Sequence, residues 1–191
     1  MGDTYLTNPL IFLIQVIFGT YAFFVILRFL FQIVKADFYN PLSQFIIKIT
    51  NPALIPLRKI IPSLGKLDSA SFIFAWILLF TESALILFIL NKEVHLPTIF
   101  LLSLPNIFDL IFNIFIYGII FQAILSWINP GTYNPMLKIL YELNEPILYP
   151  IRKFIPSFSG IDLSPVLALI GLYLLKMLTI PPLITILSAI F

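Results

Sequence analysis

The chain reads as an all-α membrane protein: four transmembrane helices arranged as two parallel repeats, each carrying a cytoplasmic amphipathic helix and a proline-rich bend. Three observations predict this. Of 191 residues 60% are hydrophobic and 10% charged, a balance that would not keep a soluble domain of this length in solution. Four stretches are apolar enough to cross about 30 Å of hydrocarbon, which takes roughly 20 helical residues each. The segment Tyr39 to Asp68 also recurs without a gap as Tyr133 to Asp162, an offset of 94 residues. Roughly a dozen identities in about thirty aligned positions exceed what shared apolar composition produces.

The first repeat covers residues 1–97 and the second 98–191. The first span is expected over about residues 10–34. Asp3 stands where a signal peptide would carry lysine or arginine, and the apolar stretch behind it is too long for an h-region, so this segment reads as a retained helix. Asn40 and Pro41 then supply an N-cap and a first-turn proline, and Asn134 and Pro135 do the same in the second copy. Leu42, Phe45, Ile46 and Ile49 fall at i, i+3, i+4 and i+7, and so do Met136, Ile139, Leu140 and Leu143. Both sets predict a helix with one apolar face, lying at the membrane surface or packed on the spans.

Pro52, Pro56 and Pro62, repeated as Pro146, Pro150 and Pro156, predict a bend in which no helix outlasts a turn or two. Arg58 and Lys59, with Arg152 and Lys153, sit inside it. These cations either set topology alone or form a basic patch for anionic headgroups or an acidic partner, at about 1 kcal/mol per charge near the surface. Asp68 and Asp162 are placed to cap the next spans, expected over about 71–90 and 165–190. Residues 98–104 are apolar but too short to cross, which predicts an interfacial segment before a third span over about 106–128. Pro181 and Pro182 predict a kink or an interfacial tail in the fourth.

Lysine and arginine in the short loops set orientation. The connector after the first span holds Lys35, Lys48, Arg58, Lys59 and Lys66, and the one after the third holds Lys138, Arg152 and Lys153; the middle connector has Lys92. Both repeated loops are therefore expected in the cytoplasm and both termini outside.

Arg28, Glu82, Asp109 and Lys176 fall inside the spans, where an unpaired charge costs about 2.5–3.5 kcal/mol or more. The repeat offset maps Glu82 onto Lys176 and Arg28 onto Gln122. On straight helices Glu82 and Lys176 lie roughly 18 Å deep, and Arg28 and Gln122 roughly 10 Å. The four are expected to converge near the pseudo-axis, with Glu82 ionised and paired with Lys176, Arg28 or both. Such a cluster serves either as a packing clamp or as an ion or proton path. Asp109, close to the outer interface, reads as hydrated.

There is no cysteine, which excludes disulfides and thiolate metal sites, and the single histidine, His95, has no partner histidine to complete a metal site. No phosphate-cradling glycine motif and no nucleophile-base constellation is present, so neither enzyme chemistry nor a cofactor is expected.

The pattern Asp37-Phe38-Tyr39-Asn40-Pro41, Pro52, Pro56-Leu57-Arg58-Lys59, Ile61-Pro62 and Asp68-Ser69-Ala70-Ser71, with a second copy ending Gly160-Ile161-Asp162-Leu163-Ser164-Pro165, resembles the YggT family, also called YlmG. The resemblance covers nearly the whole chain. It implies a small four-span protein of the bacterial inner membrane, with relatives in cyanobacteria and plastids. It further implies links to osmotic-shock tolerance and potassium uptake, nucleoid distribution and division, and assembly of membrane cytochromes. The motif carries over onto Asn40, Pro41, Pro52, Pro56, Arg58, Pro62 and Asp68, and onto Asn134, Pro135, Pro146, Pro150, Arg152, Pro156 and Asp162.

Two functional classes stay open. One is a membrane scaffold or assembly factor whose duplicated segments bind lipid or partner proteins. The other is a channel or carrier component using Arg28, Glu82, Gln122 and Lys176. Expected partners are the bilayer, anionic lipids included, and other membrane proteins; direct nucleic-acid binding is not expected, and the sequence does not exclude a homo-oligomer.

Overall fold

The computed structural model describes residues 3–65, 67–128, 134–154 and 162–189. Among them the chain is helical, and four helical segments are long and apolar enough to cross a membrane: Leu6–Val34, Ser69–Ile89, Leu96–Ser126 and Ser164–Ser188. They fit a multi-pass membrane protein. The many large apolar side chains left on the surface, such as Tyr173, Leu174 and Leu178 on the last helix, make a face that lipid tolerates and water does not.

The first span is α1 (Asp3–Ile14), a π-helical turn (Gln15–Gly19) and α2 (Thr20–Val34), joined without a cap. The π turn inserts one residue without breaking the helix. α2 stops where Lys35 adopts a left-handed φ of 56°. The Ala36 N–H bonds back to Phe31 O at 2.9 Å and the Lys35 N–H to Gln32 O at 3.3 Å, satisfying the terminal carbonyls.

α3 (Pro41–Ile60) and α7 (Pro135–Phe154) hold the two copies of the motif. Each runs unbroken through its prolines, Pro52 and Pro56 or Pro146 and Pro150, contrary to the expected bend. Spacing explains the difference. Residues four apart share one helix face, and all four rings are exposed. The rings and the carbonyls that lose their N–H partner therefore lie on the outer side, away from the packed core. The chain turns only after Ile60, at Ile61 and Pro62. The inward face of α3 also differs from the predicted stripe: Ser43, Ile46, Thr50 and Leu54 are buried, while Phe45 is turned outward. On α7 the buried positions Ile139 and Leu143 belong to the expected stripe, joined by Asn144 and Leu148.

α4 (Ser69–Ile89) packs on α2, and α8 (Ser164–Ser188) on α6 (Leu104–Ile128). Val25, Ile26, Leu30, Ile46 and Ala75 belong to one buried cluster, joined by Ile107, Ile114, Ile139 and Leu143 of the second repeat, and Ile116, Ile119, Leu148, Ala168 and Leu172 form a second cluster. Between them, α5 (Leu96–Leu102) lies against α4, held by the Trp76 indole N–H, 2.9 Å from both Phe100 O and Ser103 Oγ, and by stacking of Trp76 on Phe100 at 4.2 Å. α8 continues as helix through Pro181 and Pro182, and the Thr185 hydroxyl donates to Pro181 O at 3.0 Å.

Candidate functional site

The N-caps form as their residue types dictate. Asn40 Oδ1 accepts from Leu42 N and Asn134 Oδ1 from Met136 N, each at 2.9 Å. Pro41 and Pro135 occupy the first turn behind them. At the far end of α3, Arg58 reaches across the Pro62 turn and binds the Asp68 carboxylate through Nε and Nη2. Asp68 is 3% exposed and also takes bonds from the Ser71 hydroxyl and N–H. The carboxylate thus caps α4 and ties it to α3 at once. In the second copy Arg152 Nε donates to Asp162 Oδ2 at 2.9 Å, and Asp162 Oδ1 accepts from Ser164 N at 2.9 Å. Arg152 has a further partner, Glu145, at 2.8 Å.

Burial works against both aspartates' ionised forms, but the hydrogen bonds from Arg58 and Ser71, and from Ser164 and Arg152, outweigh it and hold each carboxyl below its ordinary range. Both arginines are therefore occupied, and the cations of the motif with no ion pair among the described residues are Lys59 and Lys153, both exposed. Pro156 lies outside the described residues, as does Tyr133.

The two copies also meet. Asn40 Nδ2 donates to Pro135 O at 2.7 Å, Glu142 accepts from Asp37 N at 2.8 Å, and Lys138 Nζ lies 2.6 Å from Asp37 Oδ2. The Lys138 bond and the backbone bond to Tyr39 N outweigh desolvation and lower the Asp37 pKa. The sequence reading singled out none of Asp37, Lys138 or Glu142 as partners. The available signal was Asp37 standing immediately before the repeat, opposite charges at i and i+4 on the second amphipathic helix.

The four intramembrane polar residues do not converge. Arg28 Nη1 donates to Thr50 Oγ1 at 2.7 Å and Asn51 Oδ1 at 2.9 Å, both on α3. Gln122 Oε1 accepts from Asn144 Nδ2 at 2.8 Å on α7, the equivalent contact, because Thr50 and Asn144 are 94 residues apart. Lys176 pairs with Asp109 at 2.9 Å and Asn113 at 2.7 Å. Glu82 pairs with neither Lys176 nor Arg28; its Oε2 is buried beside Gly19 with no hydrogen-bond partner among the described residues. The expectation failed because it used depth alone. Rotation about each helix axis aims Arg28 at α3, Gln122 at α7, and Lys176 at a carboxylate one turn from Asn113. Thr50 and Asn144, polar residues on the buried faces of α3 and α7, are the sequence signal for this.

Among the described residues no group of three His, Cys, Asp or Glu is placed to hold a metal ion. The arrangement is a mechanical one: two Arg–Asp clasps, two polar contacts that tie α2 to α3 and α6 to α7, and a charged seam joining the copies.

A family-wide sequence pattern described as CCB3/YggT matches the chain twice, over residues 7–89 and 101–183, with the same offset as the internal repeat. The chain is 40% identical over 177 residues to "Uncharacterized protein PA0392" of Pseudomonas aeruginosa, covering 92% of this chain and 90% of the relative. It is 37% identical over 170 residues to "Uncharacterized protein YggT" of Escherichia coli K12, covering 89% and 88%. An "Uncharacterized protein in proC 3'region" of Vibrio alginolyticus is 41% identical over 167 residues, covering 86% and 90%. No solved structure matches. The chain belongs to the CCB3/YggT family.

Proposed function

We propose that this member of the CCB3/YggT family is a scaffold or assembly factor of the bacterial inner membrane, without catalytic chemistry of its own. Its two parallel repeats present the duplicated proline and arginine motif at the cytoplasmic face, with both termini outside, and partner membrane proteins dock there. The observation that carries this reading is the seam between the copies: Asn40 to Pro135, and Asp37 to Lys138 and Glu142, bring α3 and α7 together at one end of the bundle. The loops at that end also hold most of the lysines and arginines, the usual mark of a cytoplasmic side. Lys59 and Lys153 remain exposed there for an acidic partner, while the arginines hold the platform rigid. A part in osmotic-stress tolerance rests on the family resemblance.

The alternative of a channel or carrier has less support, since no hydrogen bond joins Arg28, Glu82, Gln122 and Lys176 to one another among the described residues. Photo-crosslinkers placed at Lys59 and Lys153 test the choice. The same membrane proteins are expected from both positions, and labelling from position 59 should disappear with Lys153→Glu, as should labelling from position 153 with Lys59→Glu. Potassium or proton flux through the purified protein in liposomes, abolished by Glu82→Gln, would refute the scaffold reading.

A further inference from the structure

The two repeats carry pockets at equivalent places, and the pockets differ in charge. In the first repeat a cavity of about 320 Å³ lies beside α3, lined by Arg28, Gln32, Ser43, Arg58 and Phe38. This volume falls in the range of about 300–1,000 Å³ that binding pockets occupy. In the second repeat a cavity of about 570 Å³ is lined by the counterparts Gln122, Ser126 and Arg152.

The first pocket has two guanidinium groups beside one carboxylate, Asp68, and among the described residues no ion pair is made by Arg28. Arg58 is neutralised by Asp68, but Arg28 bonds only to the hydroxyl of Thr50 and the amide of Asn51. These contacts leave Arg28 Nε and Nη2 and Arg58 Nη1 available as donors. In the second repeat Gln122 replaces the arginine and Glu145 replaces Asn51, and Arg152 faces two carboxylates. The first pocket is thus lined by two arginines and no carboxylate, whereas the second is lined by one arginine and one carboxylate, Asp162. A half-buried guanidinium with no anion is costly, so the first pocket favours a ligand that supplies one.

A second feature is independent of charge. Ser43 is 4% exposed, lines this pocket, and its Oγ has no hydrogen-bond partner among the described residues. The rim carries Phe38, 57% exposed, stacked edge-on against Tyr39, which is 86% exposed. Exposed aromatics of this kind favour the boundary between headgroups and acyl chains.

We propose that the Arg28–Arg58–Ser43 pocket binds the phosphate of an anionic phospholipid headgroup, and that the second repeat, though built from the same motif, does not. The two guanidinium groups and the Ser43 hydroxyl supply donors to the phosphate oxygens, and Phe38 and Tyr39 sit against the glycerol and upper acyl region. The inference rests on the scaffold reading and names a ligand for its membrane side.

Native mass spectrometry of the full chain released from mixed micelles of phosphatidylglycerol and phosphatidylcholine tests it. One phosphatidylglycerol should be retained in preference, and millimolar inorganic phosphate should not displace it. Arg28→Gln, which installs the second repeat's residue, should weaken retention about tenfold, and the milder Ser43→Ala about threefold. Gln122→Arg combined with Glu145→Asn should create a second retained lipid. Equal retention of the two lipids by the wild-type protein, no change with either Arg28→Gln or Ser43→Ala, or displacement by inorganic phosphate would overturn the proposal. The Lys59 and Lys153 crosslinks are read on the same variants: a lost lipid preference with intact crosslinks separates this site from the scaffold face, and missing crosslinks in the wild type sink the scaffold reading instead.

Discussion

Removing the Asp68 carboxylate should show that two copies of one motif contribute unequally to stability. Asp68→Ala takes away the cap of α4, worth about 0.5–2 kcal/mol. It also strands Arg58 and removes an acceptor from Ser71. A hydrogen bond to a charged group contributes about 1.5–3 kcal/mol when shielded, but the Arg58 side chain is 36% exposed, so screening reduces its share toward the ~0.2–1 kcal/mol of surface pairs. Together these give about 2–3 kcal/mol. Asp162 is 42% exposed and Arg152 keeps Glu145 as a partner, so Asp162→Ala should cost only about 1 kcal/mol. Reversible unfolding in mixed detergent micelles, followed through Trp76 fluorescence, measures both. A double-mutant cycle of Arg58→Ala with Asp68→Ala should return coupling near 1 kcal/mol. Additivity within about 0.3–0.5 kcal/mol, or equal costs at Asp68 and Asp162, would refute the reasoning.

Three further outcomes follow from the same contacts. Because the folded state depresses the Asp68 pKa, its stabilisation is complete above the unfolded value of about 3.9 and is lost as pH falls through the folded one; the stability gap between wild type and Asp68→Asn should be constant from pH 8 to 5 and close below about pH 4. Gly118→Ala would place a Cβ 3.0 Å from Asn144 Oδ1, a buried side chain held by Gln122, and should cost about 1–3 kcal/mol of thermal stability, whereas Gly171→Ala meets nothing within 4 Å and should be neutral or stabilising by up to about 1 kcal/mol. Lys176→Met leaves Asp109 unpaired and should destabilise the protein in detergent unfolding, while Lys176→Met with Asp109→Leu should recover most of the loss.

Much of the architecture is legible in the sequence. The apolar stretches located three of the four spans to within a few residues, since a bilayer-crossing helix declares itself by length and composition alone; the third begins at Leu96, ten residues before the expected start, because the short apolar segment ahead of it is helical too. Capping residues were equally readable: Asn40, Asn134, Asp68 and Asp162 act within two or three residues of themselves, and local chemistry suffices for that. The prolines were misread because a missing N–H was treated as a break. Its effect depends on which way the face points, and exposure of Pro52, Pro56, Pro146 and Pro150 is a property of the packed helix.

The candidate site divided along the same line. That Arg58 and Arg152 matter was visible from their reuse, but their role as clasps on Asp68 and Asp162 was not, because the turn between them brings together residues 10 apart only when it folds back. Arg28 and Glu82 lie on helices long and apolar enough to cross a membrane, but depth alone paired them wrongly.

By itself, the sequence determined the duplication, the spans and the helix starts, all of which depend on near neighbours and on the polarity of one long segment. Only the tertiary structure decided which charges meet, why Arg28 bonds to neutral groups while Glu145 faces Arg152, and how Asp37 joins the copies. Those outcomes depend on the rotation of one helix against another, set by the summed packing of many apolar side chains across residues as much as 105 positions apart.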